Sequence, residues 1–225
     1  MIPGRDQVIA CPHCQAPSRF ETFASGNTIH GRLWTDFYRV FPMMPFPPDL
    51  IGCHACGKCF WVKDAKALGF VDPYGRHPQN DQEWMWSQSP RVRWPSPKAI
   101  YAAIADGMCK TKEEAGSTRL IALQRRNDEW RDDETSAGRP PDADDARNME
   151  ELLALSHESE NRLLKCEIFR YLARFVDALD ALSGDLPAPA AVLEFIRSLC
   201  ASGDARVRLI APTKLERKPA NVVPA

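Results

Sequence analysis

Two C-x-x-C pairs, Cys11-Pro12-His13-Cys14 and Cys53-His54-Ala55-Cys56, constrain this 225-residue chain more than any other feature. Two thiolates two residues apart on a tight turn converge on one side of a tetrahedral ion. A second such turn, carried in by a β-hairpin, completes a four-sulfur shell. The pattern predicts a zinc ribbon with Cys11, Cys14, Cys53 and Cys56 as metal ligands. A shell filled by four protein ligands leaves no position for water or substrate, so the expected Zn2+ is structural. The 38 residues from Gln15 to Gly52 exceed the commonest spacing of such sites and must hold extra strand or loop. Gly57 allows the close backbone turn after the second pair, whereas Gln15 stands where many first knuckles have glycine. A rubredoxin-like iron centre uses the same four sulfurs and stays open at this point. Cys59 is either a competing ligand or a small apolar side chain beside Phe60 and Trp61. His13 and His54, inside the knuckles, are expected to point outward.

Composition narrows the setting. A formal net charge of −1 creates no global field toward nucleic acid or an anionic membrane. The first residues, Met1-Ile2-Pro3-Gly4-Arg5-Asp6, hold no apolar run of signal-peptide length. No stretch approaches the ~18 uncharged apolar residues of a membrane helix. The sequence therefore predicts a cytoplasmic protein with no membrane partner. In a reducing compartment its eight cysteines mean thiols and metal rather than disulfides.

Composition also divides the chain. Residues 1–70 read as the zinc ribbon, with short β-like runs such as Thr28 to Trp34 and Phe60-Trp61-Val62. Residues 71–96 form a Trp- and Pro-rich connector containing Trp84, Trp86 and Trp94. Residues 97–210 read as helices with explicit start signals: Ser96-Pro97, the capping box Thr111-Lys112-Glu113-Glu114, and Asp142. The second of these helices is expected to run toward Trp130. A loop is expected over Thr135-Ser136-Ala137-Gly138-Arg139-Pro140-Pro141, and residues 211–225 read as a disordered tail. The expected class is α+β: an N-terminal β-rich ribbon followed by a C-terminal helical bundle. The metal should supply much of the ribbon's folding energy, and the helices should rest on their own apolar faces.

Residues 159–184, from Ser159 to Gly184, resemble one tetratricopeptide (TPR) helix pair. Cys166 falls at the family's small position and Phe169 at its aromatic position in the first helix. Phe175 and Ala178 match the residues that lock the second, while Ala173 replaces the usual turn glycine. The resemblance implies a TPR-like hairpin, a motif that presents grooves to peptides. The whole layout also resembles a group of uncharacterised bacterial zinc-ribbon proteins. They share a Trp-Thr-Asp segment, here Trp34-Thr35-Asp36, a Pro-rich turn, here Met43 to Pro48, and an aromatic pair, here Phe60-Trp61, before a helical tail.

Catalytic signatures are missing: no Gly-x-Ser-x-Gly elbow, no phosphate-cradling glycine loop and no His-Glu-x-x-His. A hidden Cys–His hydrolase, for instance Cys109 with His157, is one alternative. A nucleic-acid-associated regulator binding through the ribbon is another, with Trp34, Trp61, Trp84, Trp86 and Trp94 as a stacking platform. Against it, residues 1–96 carry only ten Lys/Arg against eight Asp/Glu, too few for a phosphate-binding face. The tryptophans are expected instead to back the knuckle and pin the connector to the helices. The sequence thus points to a non-catalytic, zinc-binding interaction or scaffold module with a protein partner.

Overall fold

The computed structural model describes residues 1–76, 78–132, 135, 140–156 and 162–210. The chain is α+β, with short antiparallel strands first and eight helices after them among the described residues. Both C-x-x-C turns sit at hairpin tips. The first joins β2 (Asp6–Ala10) to β3 (Pro17–Phe20), where β1 (Ile2–Pro3) precedes them. The second joins β7 (Leu50–Gly52) to β8 (Cys59–Trp61). Between the hairpins lie β4 (Phe23–Ser25), β5 (Arg32–Trp34) and β6 (Arg39–Val40). After them β9 (Lys66–Val71) pairs with the other side of β2, giving the sheet order β3-β2-β9. Only Arg32–Trp34 of the expected Thr28–Trp34 run is strand. The residues before it close a turn in which the Gly31 amide donates to the Thr28 carbonyl and His30 takes φ +60°.

The connector carries a helix that its polar, tryptophan-rich sequence conceals. Asn80 caps α1 (Asp81–Ser87) by accepting the Glu83 amide. Beyond it, the amides of Arg19 and Val92 reach across to the carbonyls of Pro90 and Arg19, so the connector adds to the edge of β3. Its tryptophans divide. Trp86 packs over Gly69, where a Cβ would come within 2.5 Å of its ring, and Trp94 stacks under Arg125, whereas Trp84 is exposed.

The helix starts follow their caps. Ser96 accepts the Ala99 amide at the head of α2 (Pro97–Ala105), and Thr111 accepts the Glu114 amide at the head of α3 (Lys112–Arg126). Instead of continuing to Trp130, α3 ends at Arg126, capped by Asn127, whose amide closes on the Leu123 carbonyl, and a short α4 (Asp128–Asp132) follows. Asp142 and Asp145 form a reciprocal capping box on α5 (Ala143–Leu155). Then come α6 (Arg162–Tyr171), α7 (Phe175–Ala181), α8 (Ala190–Ala201) and a last strand β10 (Leu209–Ile210). Cys166, Phe169, Phe175 and Ala178, which carry the tetratricopeptide resemblance, meet in one apolar cluster between α6, α7 and α8. Residues 136–139 of the expected loop at 135–141, and the whole of the expected tail at 211–225, lie outside the described residues.

The strand β10 pairs antiparallel with β5, Leu209 opposite Trp34, in a sheet ordered β10-β5-β6. Trp34 is thereby packed among Leu123, Trp130, Met149, Leu152, Ile168 and Tyr171, the centre of the helical core. A second junction joins Leu50 and Cys59 of the β7–β8 hairpin to Ile100 and Ala103 of α2 and Ala122 of α3. No described helix is long and apolar enough to cross a membrane.

Candidate metal centre

The two hairpins deliver Cys11, Cys14, Cys53 and Cys56 to one point, where their four Sγ atoms all lie within 4.8 Å of one another. The knuckles are equivalent. In the first, the Gln15 amide donates to the Cys11 carbonyl at 2.9 Å and the His13 amide points at Cys11 Sγ at 3.4 Å. In the second, the Gly57 amide donates to the Cys53 carbonyl at 2.9 Å and the Ala55 amide points at Cys53 Sγ at 3.4 Å. Each turn closes through a left-handed residue, Gln15 at φ +62° and Gly57 at φ +72°. Gln15 occupies a glycine-type position and offsets the strain by donating its side-chain Nε2 to the Cys11 carbonyl.

Cys11 and Cys53 are buried against Ile9, Ile51 and Phe60, while Cys14 and Cys56 form the outer, exposed half of the group. Sulfurs from opposite knuckles approach each other: Cys11 to Cys56 at 3.9 Å and Cys14 to Cys53 at 3.5 Å. Tetrahedral coordination with metal–sulfur bonds of about 2.3 Å requires sulfur–sulfur edges of about 3.8 Å, so the donor set fits a four-coordinate ion.

Electrostatics point the same way. Burial raises the Cys53 thiol, but the Cys56 and Ala55 amides and the neighbouring sulfurs outweigh it and bring the group to about 7. Burial holds Cys11 up at about 12. As free thiols the four cannot all ionise together, and a bound cation removes that conflict.

Cys59 is not in the group. It is buried against Leu50 and Ile100, and burial pushes its thiol up to about 11. Neither histidine joins either. His13 Nε2 donates to the Cys59 carbonyl at 3.3 Å, and His54 Nδ1 pairs with Ser18 Oγ at 3.3 Å. Both bonds hold the rings on the outside of the knuckles. Beside the second knuckle a groove of about 580 Å3 lies between Phe60 and Trp61 on one wall and Ala99 and Ala102 of α2, with Met108 just beyond that helix, on the other. Two cysteines line it: Cys56, which belongs to the four-sulfur group, and Cys59, whose thiol burial pushes up to about 11. Elsewhere the Cys109 thiol donates to Thr118 Oγ1 at 3.5 Å, and His157 lies outside the described residues.

Sequence reading noticed Trp34-Thr35-Asp36 only as a point of resemblance and missed what it does. Thr35 and Asp36 are fully buried. Thr35 Oγ1 accepts from Arg170 Nη2 at 3.0 Å and from the Arg208 amide at 3.1 Å, and meets Tyr171 OH at 3.0 Å. Asp36 Oδ2 accepts from Asn127 Nδ2 at 3.0 Å and forms an ion pair with Arg131. Two polar residues set between Trp34 and Phe37 were the available signal.

Fold and site together define an α+β chain with a tetracysteine group suited to a metal ion and a helical C-terminal region. No protein-family model, curated protein or solved structure matches it.

Proposed function

We propose that this chain is a zinc-stapled interaction module with no catalytic chemistry of its own, in which Cys11, Cys14, Cys53 and Cys56 hold one structural Zn2+. The supporting observation is the group of four cysteine sulfurs within 4.8 Å at the tips of two equivalent hairpins. Four thiolates complete a tetrahedral shell, so the ion shapes the ribbon and offers no open position for a reaction. Zinc is preferred to iron because no other redox-active constellation accompanies the site among the described residues. The helical region, with its TPR-like pair, is the expected scaffold for a protein partner in the cytoplasm.

Elemental analysis of the purified protein tests the metal assignment. About one zinc per chain is expected, with the ratio lowered in Cys53→Ser and unchanged in Cys59→Ser. Iron in its place, or no metal at all, overturns the assignment. A native-lysate pull-down, paired with a broad hydrolase screen, tests the rest: a retained partner and no turnover are expected.

A further inference from the structure

The four-sulfur group at the hairpin tips includes the most accessible thiols of the chain. Of the eight cysteines only Cys14 and Cys56 are exposed. Cys11, Cys53, Cys59, Cys166 and Cys200 are buried, and the half-buried Cys109 donates to Thr118 Oγ1. An oxidant in solution therefore meets Cys14 and Cys56 first. Cys56 also lines the groove between the ribbon and α2, which is wide enough to admit a small molecule.

Each exposed sulfur approaches a buried one on the opposite hairpin, Cys14 to Cys53 at 3.5 Å and Cys56 to Cys11 at 3.9 Å. The buried sulfurs are held in place by their own turns, where the His13 and Ala55 amides point at Cys11 and Cys53 Sγ at 3.4 Å. A disulfide brings its sulfurs to about 2 Å, so either pair closes by a movement of less than about 2 Å. Both closures would tie the β2–β3 hairpin to the β7–β8 hairpin across the apolar contacts of Ile9, Ile51 and Phe60.

We propose that this group is a peroxide-oxidisable site whose thiolates close into two disulfides between the hairpins, Cys14–Cys53 and Cys11–Cys56, so that a covalent staple takes over as the ion leaves. The inference rests on the zinc-stapled reading and gives the ligand thiolates a second chemistry. In the first step the Cys14 thiolate attacks one oxygen of hydrogen peroxide. The O–O bond breaks, hydroxide leaves, and Cys14 becomes a sulfenic acid. The Cys53 thiolate then attacks that sulfur, the S–S bond forms, the S–O bond breaks, and a second hydroxide leaves. Two electrons pass from the sulfurs to the peroxide, and two solvent protons convert the hydroxides to water. A second peroxide closes Cys56 onto Cys11 in the same way. Disulfide sulfurs carry no charge, so no thiolate remains to hold a divalent cation.

Treating the full-length, zinc-loaded protein with hydrogen peroxide tests this. Zinc should reach a chromogenic chelator at about two peroxides per ion, and peptide mapping by mass spectrometry should find the two cross-hairpin bridges. Dithiothreitol with added zinc should restore the metal content, and Cys59→Ser/Cys109→Ser should react like the parent. Residues 50–61 and 97–105 should keep their hydrogen-exchange protection in the oxidised protein and lose it in chelator. Bridges within a knuckle, bridges to Cys59, sulfinic acids without bridges, or a site that ignores peroxide each overturn the proposal. Equal exposure of the two segments in oxidised and chelated protein overturns it as well. A purified chain without zinc would remove the zinc reading, yet the same two bridges mapped in it would still support the pairing. One zinc per chain together with the wrong bridges would do the reverse.

Discussion

Gln15, His30, Phe37 and Ala173 hold positive φ, at 62°, 60°, 64° and 56°, although none is glycine. An L-residue in this region is strained by about 1 kcal/mol or more. Ala173 is the informative case, because it is exposed and its side chain makes no polar contact that a substitution could lose. It turns the chain from α6 into α7, its amide closing on the Arg170 carbonyl at 2.9 Å. Ala173→Gly should therefore raise stability by about 0.5–1 kcal/mol, read as a higher urea midpoint at unchanged m-value. Gln15→Gly should gain less, since it surrenders the Nε2 bond to the Cys11 carbonyl. A destabilised Ala173→Gly would mean that the turn is not strained. The grouping of Cys11, Cys14, Cys53 and Cys56, by contrast, was legible at this scale, because each pair is a matter of spacing within four residues.

Among the elements, the turn between β5 and β6 carries the densest polar wiring. The Thr35 hydroxyl has two acceptor sites and one donor, and the Arg170 guanidinium, the Arg208 amide and the Tyr171 hydroxyl occupy them. Arg170 is itself fully buried. Burial opposes its charge, but the Glu167 carboxylate at 2.5 Å holds it ionised. The Asp204 and Arg206 carbonyls accept from its Nη1 at 2.6 and 2.7 Å, so one side chain tethers α6 to the segment leading into β10. Thr35→Val keeps the shape and removes all three bonds at once. It should cost about 3–5 kcal/mol, because a buried amide and one arm of a buried cation lose their acceptor. Tyr171→Phe, which removes one neutral partner, should cost about 1 kcal/mol. Equilibrium denaturation of the two variants checks the ranking, and equal losses would show that the hydroxyl of Thr35 is not the node. The signals that were readable for elements are the caps at Ser96, Thr111 and Asp142. A strand of two residues, such as β10, has no period to read.

For the molecule as a whole, the ribbon and the helices share cores. Leu50 and Cys59 of the second knuckle's hairpin pack on Ile100 and Ala103 of α2 and Ala122 of α3, while the α6–α8 cluster lies elsewhere. Stripping the metal should loosen the hairpins first and then α2, which loses the apolar wall it rests on. Hydrogen exchange in a chelator should rise across residues 50–61 and 97–105, with α6 to α8 keeping their protection. An α2 that stays protected would show that the shared cluster does not transmit the loss. Collapse of α6 to α8 in step with the ribbon would show that the whole chain folds as one unit around the ion.

The sequence by itself determined what depends on neighbours along the chain: the two paired-cysteine turns, the α+β order, and the helix starts set by capping side chains that reach only two or three residues. Tertiary structure alone decided that β10 pairs with β5 across most of the chain, and that Thr35 and Asp36 are interior. The physical reason is common to both. Asp36 looks like a surface acid until Arg131 and Asn127, some ninety residues on, arrive to satisfy it, and a polar group is stable inside only when partners from distant segments meet it there.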